Sequence, residues 1–243
     1  MKKKTKRILA ILILLAVSLA AATALYAGDY YRAGDVEQYL TDGDGVAVSA
    51  IDEGYYFDGP GTENALIFYP GAKVEETAYA PLLYSLASQG VDCFLIKMPL
   101  HLAIFGINRA DSIRAEYPYD NYFLAGHSLG GAMAAEHAAK RPTEYAGLFL
   151  LAAYPARDLT AVRFPVVFIY GENDGVLNRE KLETGFSLVP PDYTVTEIAG
   201  GNHAGFGIYG AQDGDGTATV TGEEQRRITA ETILGDIQDG KDG

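Results

Sequence analysis

The run Gly126-His127-Ser128-Leu129-Gly130-Gly131 places a serine in a G-x-S-x-G pattern. A serine hydroxyl is a poor nucleophile at neutral pH. It attacks an acyl carbon when a base takes its proton and a carboxylate holds that base in one tautomer. The chain contains four histidines, His101, His127, His137 and His203. His127 adjoins the serine in sequence and is expected to point elsewhere. His137 falls about two and a half helical turns further on and should face away from the serine. His101 precedes the serine. His203 stands in AGGNHAGFG, where glycines let a loop reach back over a neighbouring segment, and it is the candidate base. Between serine and histidine, GENDG supplies Asp174 as the candidate acid. Glu172 reads as a turn or rim residue and Asp158 as a reserve acid. Each piece alone has a plain reading: a glycine turn, an Asp-Gly turn, a loop histidine. Serine, acid and histidine in that order carry more than any one of them.

Such groups need a frame. The runs NALIFY, VDCFLIKM, NYFLAG, AGLFLLA, FPVVFIYG and YTVTEI read as strands, most without polar alternation, and helical stretches separate them. That pattern predicts a mostly parallel central sheet with helices on both faces. Two short strands around Asp52-Glu53-Gly54 precede it. Active sites in such sheets form beyond the carboxyl ends of the strands. Ser128 lies directly between the strand NYFLAG and the alanine-rich helix LGGAMAAEHAAK. A tight strand-to-helix turn there requires Gly126 and Gly130 to avoid Cβ clashes and pushes the serine out above the sheet. Two backbone donors are expected to hold the oxyanion: the N–H of Leu129, after the nucleophile, and the N–H of Ala72, in FYPGA after the first parallel strand.

With these pieces assembled, the chain resembles the α/β-hydrolase superfamily. It is most similar to the small lidless group of dienelactone-hydrolase-like and esterase-like proteins. FYPGA, GHSLGG, YGENDGV and GGNHAGFG carry the resemblance, which spans about residues 60–238. It implies an α/β-hydrolase fold without a large cap domain. It also implies a serine hydrolase with Ser128 as nucleophile, Asp174 as acid and His203 as base, working without a cofactor or metal. The expected activity is cleavage of a small-molecule carboxylic ester through an acyl-enzyme. A thioesterase or peptidase, or a non-catalytic binding protein on the same fold, are the alternatives. The chain departs from many relatives in having Pro70 where lipases and esterases often carry histidine, and serine where true dienelactone hydrolases carry cysteine. Only AAYPARDLTAVR separates two strands where a cap could have been inserted, so the site should be shallow and open. In MPLHLAIFGIN (98–108), Leu100, Leu102, Ile104 and Phe105 either line an acyl pocket or pack a helix on the sheet.

The ends and the charge complete the reading. MKKKTKR precedes twenty uncharged residues from Ile8 to Ala27. That length spans a bilayer at about 1.5 Å per residue. An uncleaved anchor is favoured on length over a signal peptide cleaved near Ala22-Thr23-Ala24. In either case the body lies outside the cytoplasm. Residues 1–28 form this segment, 29–59 a tether and the first strands, and 60–243 the catalytic domain. The leading segment takes five of the nineteen basic residues, so the body sets fourteen against thirty-two acidic ones, a net charge of −18. That excludes nucleic acid as a partner. The one cysteine, Cys93, lies in an apolar run and reads as a buried hydrophobe. Asp213, Asp215 and Glu224 have part of a calcium-loop spacing, but Ala218 stands where the turn needs glycine.

Overall fold

The computed structural model describes residues 3–239. Residues 1–2 and 240–243, the extreme ends of the expected anchor and catalytic domain, lie outside the described residues. The chain divides into two compact units at Tyr30/Tyr31. The first is helix α1 (Lys3–Gly28). Its 22 residues from Arg7 to Gly28 are long and apolar enough to cross a bilayer, and none of the side chains described there is buried. Those properties suit a membrane anchor and a signal peptide alike.

The second unit is built on an eight-stranded sheet in the order β1-β2-β4-β3-β5-β6-β7-β8. The strands are β1 (Ala47–Ile51), β2 (Gly54–Asp58), β3 (Asn64–Tyr69), β4 (Asp92–Ile96), β5 (Asn121–His127), β6 (Gly147–Leu151), β7 (Val166–Gly171) and β8 (Thr194–Ile198). β1 and β2 form the expected antiparallel hairpin around Asp52-Glu53, and β2 also runs antiparallel to β4. Every other pairing is parallel. The five residues of β4 and of β6, and the six of β3, are all buried, as strands covered on both faces must be.

Alternate residues feed two cores. Leu66, Phe68, Cys93, Leu95, Val167 and Ile169 pack under α2 (Ala80–Ala87) and α6 (Gly222–Asp239). Ala65, Ile67, Phe94, Leu124, Leu148 and Phe168 pack under α3 (Arg109–Glu116), α4 (Leu129–Ala138) and α5 (Arg179–Phe186). Each fully buried Leu, Ile or Phe contributes about 1.5–3 kcal/mol of transfer free energy. Residues 152–165, between β6 and β7, contain no helix, so no cap domain stands there. Residues 31–46 belong to this body: Tyr31 bridges Val74, the Gly34 N–H donates to Ile208 O at 2.8 Å, and Val36 and Val46 are buried. At α6, Thr221 Oγ1 accepts from the Glu224 N–H at 3.1 Å and caps the helix N-terminus.

Candidate active site

The loops that carry the expected site all leave the carboxyl ends of parallel strands. Residues 70–73 follow β3, Ser128 follows β5, Asp174 follows β7 and His203 follows β8. The sharpest bend is at Ser128, which holds φ 52° and ψ −123°. L-residues avoid that region, and such strain persists only where the surroundings impose it. Here they do. The Ser128 N–H donates to Leu151 O at 2.9 Å, and Ser128 O receives the Ala132 N–H at 3.1 Å. A Cβ on Gly126 would come within 2.6 Å of the Gly130 and Gly131 backbone, and one on Gly130 within 2.1 Å of Tyr69 O. The turn therefore closes only with glycine at both positions, and the loop after β3 lies directly against the first turn of α4. Leu129 opens that turn, where backbone N–H groups have no intrahelical acceptor.

His203 is 1% exposed, and its Nδ1 lies 2.8 Å from Asp174 Oδ2. The other Asp174 oxygen accepts from the N–H groups of Val176 at 2.9 Å and Leu177 at 2.8 Å, which fixes the carboxylate. His203 Nε2 is buried, with no hydrogen-bond partner among the described residues. Ser128 and His203 line one cleft of about 210 Å³, together with Leu129, Ala132, Ala152, Ala153, Tyr154, Val176, Leu177 and Asn178. Small alanines form much of its wall. Ala72 is half-buried in the neighbouring loop and does not line the cleft.

The remaining candidates sit elsewhere. Asp158 is exposed and caps its own turn through the Thr160 N–H and hydroxyl. Glu172 Oε2 accepts from the Gly200 N–H at 2.8 Å, so it ties the acid loop to the histidine loop. His137 is buried against the Tyr145 hydroxyl at 2.6 Å. His101 lies beside Glu76, at 4.0 Å. The 98–108 segment neither lines the cleft nor forms a helix on the sheet. It makes two 3₁₀ turns, Pro99–His101 and Ala103–Phe105, with Leu100, Ile104 and Phe105 exposed.

Two features were not expected from the sequence. Asp215 Oδ1 accepts from the N–H groups of His203 at 3.1 Å and Gly175 at 3.2 Å, and Oδ2 from that of Ala204 at 2.9 Å. One carboxylate thus clamps the histidine loop to the acid loop. That use turns Asp215 away from a calcium loop, and Glu224 pairs with Arg227 at 2.6 Å. The second feature is His127. Its ring lies 4.5 Å, centroid to centroid, from that of His203, and its Nδ1 is 2.8 Å from the Tyr79 hydroxyl. The expectation that it points elsewhere is corrected by strand alternation. His127 shares the face of Phe123 and Ala125, the core that also holds Ala204 and Phe206 from the histidine loop. Burial, and then repulsion from His203, hold the His127 imidazole well below the usual histidine range and keep it neutral.

Comparison with known proteins rests on the same stretch of chain. The sequence profile of the alpha/beta hydrolase family matches residues 65–227. The chain belongs to the alpha/beta hydrolase family. No curated protein sequence matches this hydrolase. Solved structures share its fold. Alpha/beta hydrolase domain-containing protein 10 from mouse is 15% identical, with TM-score 0.59 over 80% of this chain and 98% of its own. A dienelactone hydrolase from Anabaena variabilis is 13% identical, with TM-score 0.59 over 79% of this hydrolase and 99% of its own chain. A protein described as a membrane phospholipase A and bacterial virulence factor is 13% identical, with TM-score 0.62 over 98% and 100%.

Proposed function

We propose that this hydrolase cleaves carboxylic esters through an acyl-enzyme on Ser128. The observation that carries the reading is the state of His203. One ring nitrogen is tied to a fixed carboxylate, and the other is buried, unpaired and in the same cleft as a strained, half-buried serine. In this reading Ser128 Oγ attacks the acyl carbon and passes its proton to His203 Nε2. Asp174 stabilises the imidazolium, and the N–H groups of Leu129 and Ala72 hold the oxyanion. His203 then protonates the leaving alkoxide, and water releases the acid by the reverse sequence. The alanine-walled cleft suits the scissile region and a short acyl group. The N-terminal helix holds the enzyme to a membrane with the acidic body outside the cytoplasm. The membrane phospholipase A that shares nearly the whole chain length supports ester chemistry beside a membrane.

Labelling with a fluorophosphonate tests the reading. Wild type should react, while Ser128→Ala and His203→Ala, folded by circular dichroism, should not. Asp174→Asn should lower kcat by about 10⁴-fold, because the tautomer is lost. Failure of folded wild type to label would overturn the proposal.

A further inference from the structure

The body leaves few large apolar side chains in water. Among the described residues after Tyr30, five are exposed: Leu100, Ile104, Phe105, Val176 and Val195. Three of these fall within six consecutive residues on the segment that leaves the carboxyl end of β4, and Val176 lines the cleft itself. Four of the five therefore stand at the end of the sheet where Ser128 opens to solvent. Isolated exposed apolar residues are ordinary, but a concentration at one end marks a contact surface.

The segment is held in this shape. Leu100 and His101 follow one another at φ 54° and 53°, a conformation that bulky residues avoid. Three hydrogen bonds fix it: His101 N–H to Met98 O at 3.0 Å, Leu102 N–H to Pro99 O at 3.0 Å, and Lys73 N–H to His101 O at 2.8 Å. Met98 and Ala103 root it in the core. The fold thus maintains strain at the place where it exposes Leu100 and Phe105.

We infer that residues 98–106 dock on the surface of a lipid bilayer and that the substrate is an ester presented at that surface. The second half rests on the ester-hydrolase reading; the first does not. Three observations select a bilayer as the occupant. The apolar stretch Arg7–Gly28 ends three residues before the body begins at Tyr31. Three residues reach about 11 Å at most, so an inserted helix keeps the body at the membrane. The run from Met98 to Asn108 has no carboxylate and lies between Lys97 and Arg109, in a body of net charge −17 from Tyr31 onward. Arg109 forms no ion pair among the described residues. Lys97 pairs with Glu76 at 3.6 Å, so Arg109 is the cation left to meet lipid phosphates beside apolar tips that match the acyl boundary. Finally, a cleft of about 210 Å³ seats only the region around the scissile bond. The remainder of a long acyl ester then stays in the lipid beside this rim.

The test uses the full chain reconstituted in phosphatidylcholine–phosphatidylglycerol vesicles. Cys93 is the only cysteine and is buried, so an added cysteine can be labelled alone. A fluorophore on Phe105→Cys should be quenched by nitroxide-labelled lipid and shielded from aqueous iodide. The same fluorophore on Thr62→Cys, exposed just before β3 at the opposite end of the parallel strands, should show the reverse. Iodide access at 105 would place the loop in water and overturn the inference. Shielding from both quenchers would mean that protein covers the loop, and that too would overturn it. Leu100→Ser with Phe105→Ser should slow hydrolysis of a long-chain ester in vesicles by about tenfold, the loss of roughly 1.4 kcal/mol. It should leave p-nitrophenyl acetate hydrolysis within about twofold, since the cleft is untouched. Equal loss on both substrates would overturn the substrate assignment. A wild type that cleaves neither ester would defeat the hydrolase reading, and the quenching data would still decide the docking.

Discussion

Ser128 sits at φ 52° and ψ −123°, where glycine alone is at ease. Such strain costs about 1–3 kcal/mol. Ser128→Gly releases it, while glycine's freedom in the unfolded chain takes back about 0.5–1 kcal/mol. The expected result is a melting temperature unchanged or raised by up to about 6 °C, with catalysis abolished. A clear drop would show that the serine side chain supports the fold. Asp215 makes a different claim. Its carboxylate holds the N–H groups of His203, Ala204 and Gly175 without touching the cleft. In the proposed mechanism it is a positioning residue. In Asp215→Asn an amide N–H₂ must face at least one of those donors, so kcat should fall by about 10- to 100-fold with KM little changed. Loss of thermal stability with kcat intact at lower temperature would reduce its role to a structural one.

At the scale of elements, the site is a set of loop-to-loop contacts that strands and helices bring into range. The loop after β3 reaches α4 because Gly130 has no Cβ; an added one would meet Tyr69 O at 2.1 Å and Pro70 O at 2.4 Å. Gly130→Ala should push residues 69–72 off the helix and cut kcat by about 10²–10³-fold, the worth of an oxyanion donor. Gly235 in α6, where an added Cβ would meet nothing within 4 Å among the described residues, is the control. Gly235→Ala should stabilise the protein by up to about 1 kcal/mol and leave turnover alone. A Gly130→Ala variant with normal kcat would remove this loop from the mechanism. The strands, the hairpin and the elbow were legible in the sequence because each is a local pattern of apolar runs, glycines and caps. So was the order of Ser128, Asp174 and His203. The Asp215 clamp was not, because it joins residues 11 to 40 positions apart through main-chain donors that leave no trace in composition. His127 was misread for want of one parity count along β5. The 98–108 segment was misread because an apolar run was expected to be buried, and three of its side chains are not.

For the molecule as a whole, buried histidines link folding to pH. Burial pushes His127 well below the usual histidine range and His137 down to about 4. Tyr145, Asp111, Arg141 and Arg114 surround His137, and Tyr79 and His203 face His127. Both histidines are neutral in the folded protein where the unfolded chain begins to bind protons, near pH 6.5. Protonation of the unfolded state pulls the equilibrium toward it, so their contribution is complete above about pH 7.5 and is lost as pH falls through 6.5. Between pH 6 and 5 each histidine adds a slope of up to about 1.4 kcal/mol per pH unit. Burial raises the Asp92 carboxyl, which acts in the opposite sense nearer the carboxylate range. Urea unfolding of the body should therefore give a midpoint flat above pH 7.5 and falling toward pH 5. His137→Gln should have a shallower fall. A midpoint constant from pH 7.5 to 5 would mean that these rings gain protons without unfolding.

The backbone at Ser128 has one more consequence, for lineages. A glycine at that position satisfies the turn better than the residue that is there. If turnover stopped being selected, drift toward Ser128→Gly would meet no opposition from folding and some encouragement. An idle descendant of this chain would then lose its proposed nucleophile early and keep its sheet, its clamp and its stability.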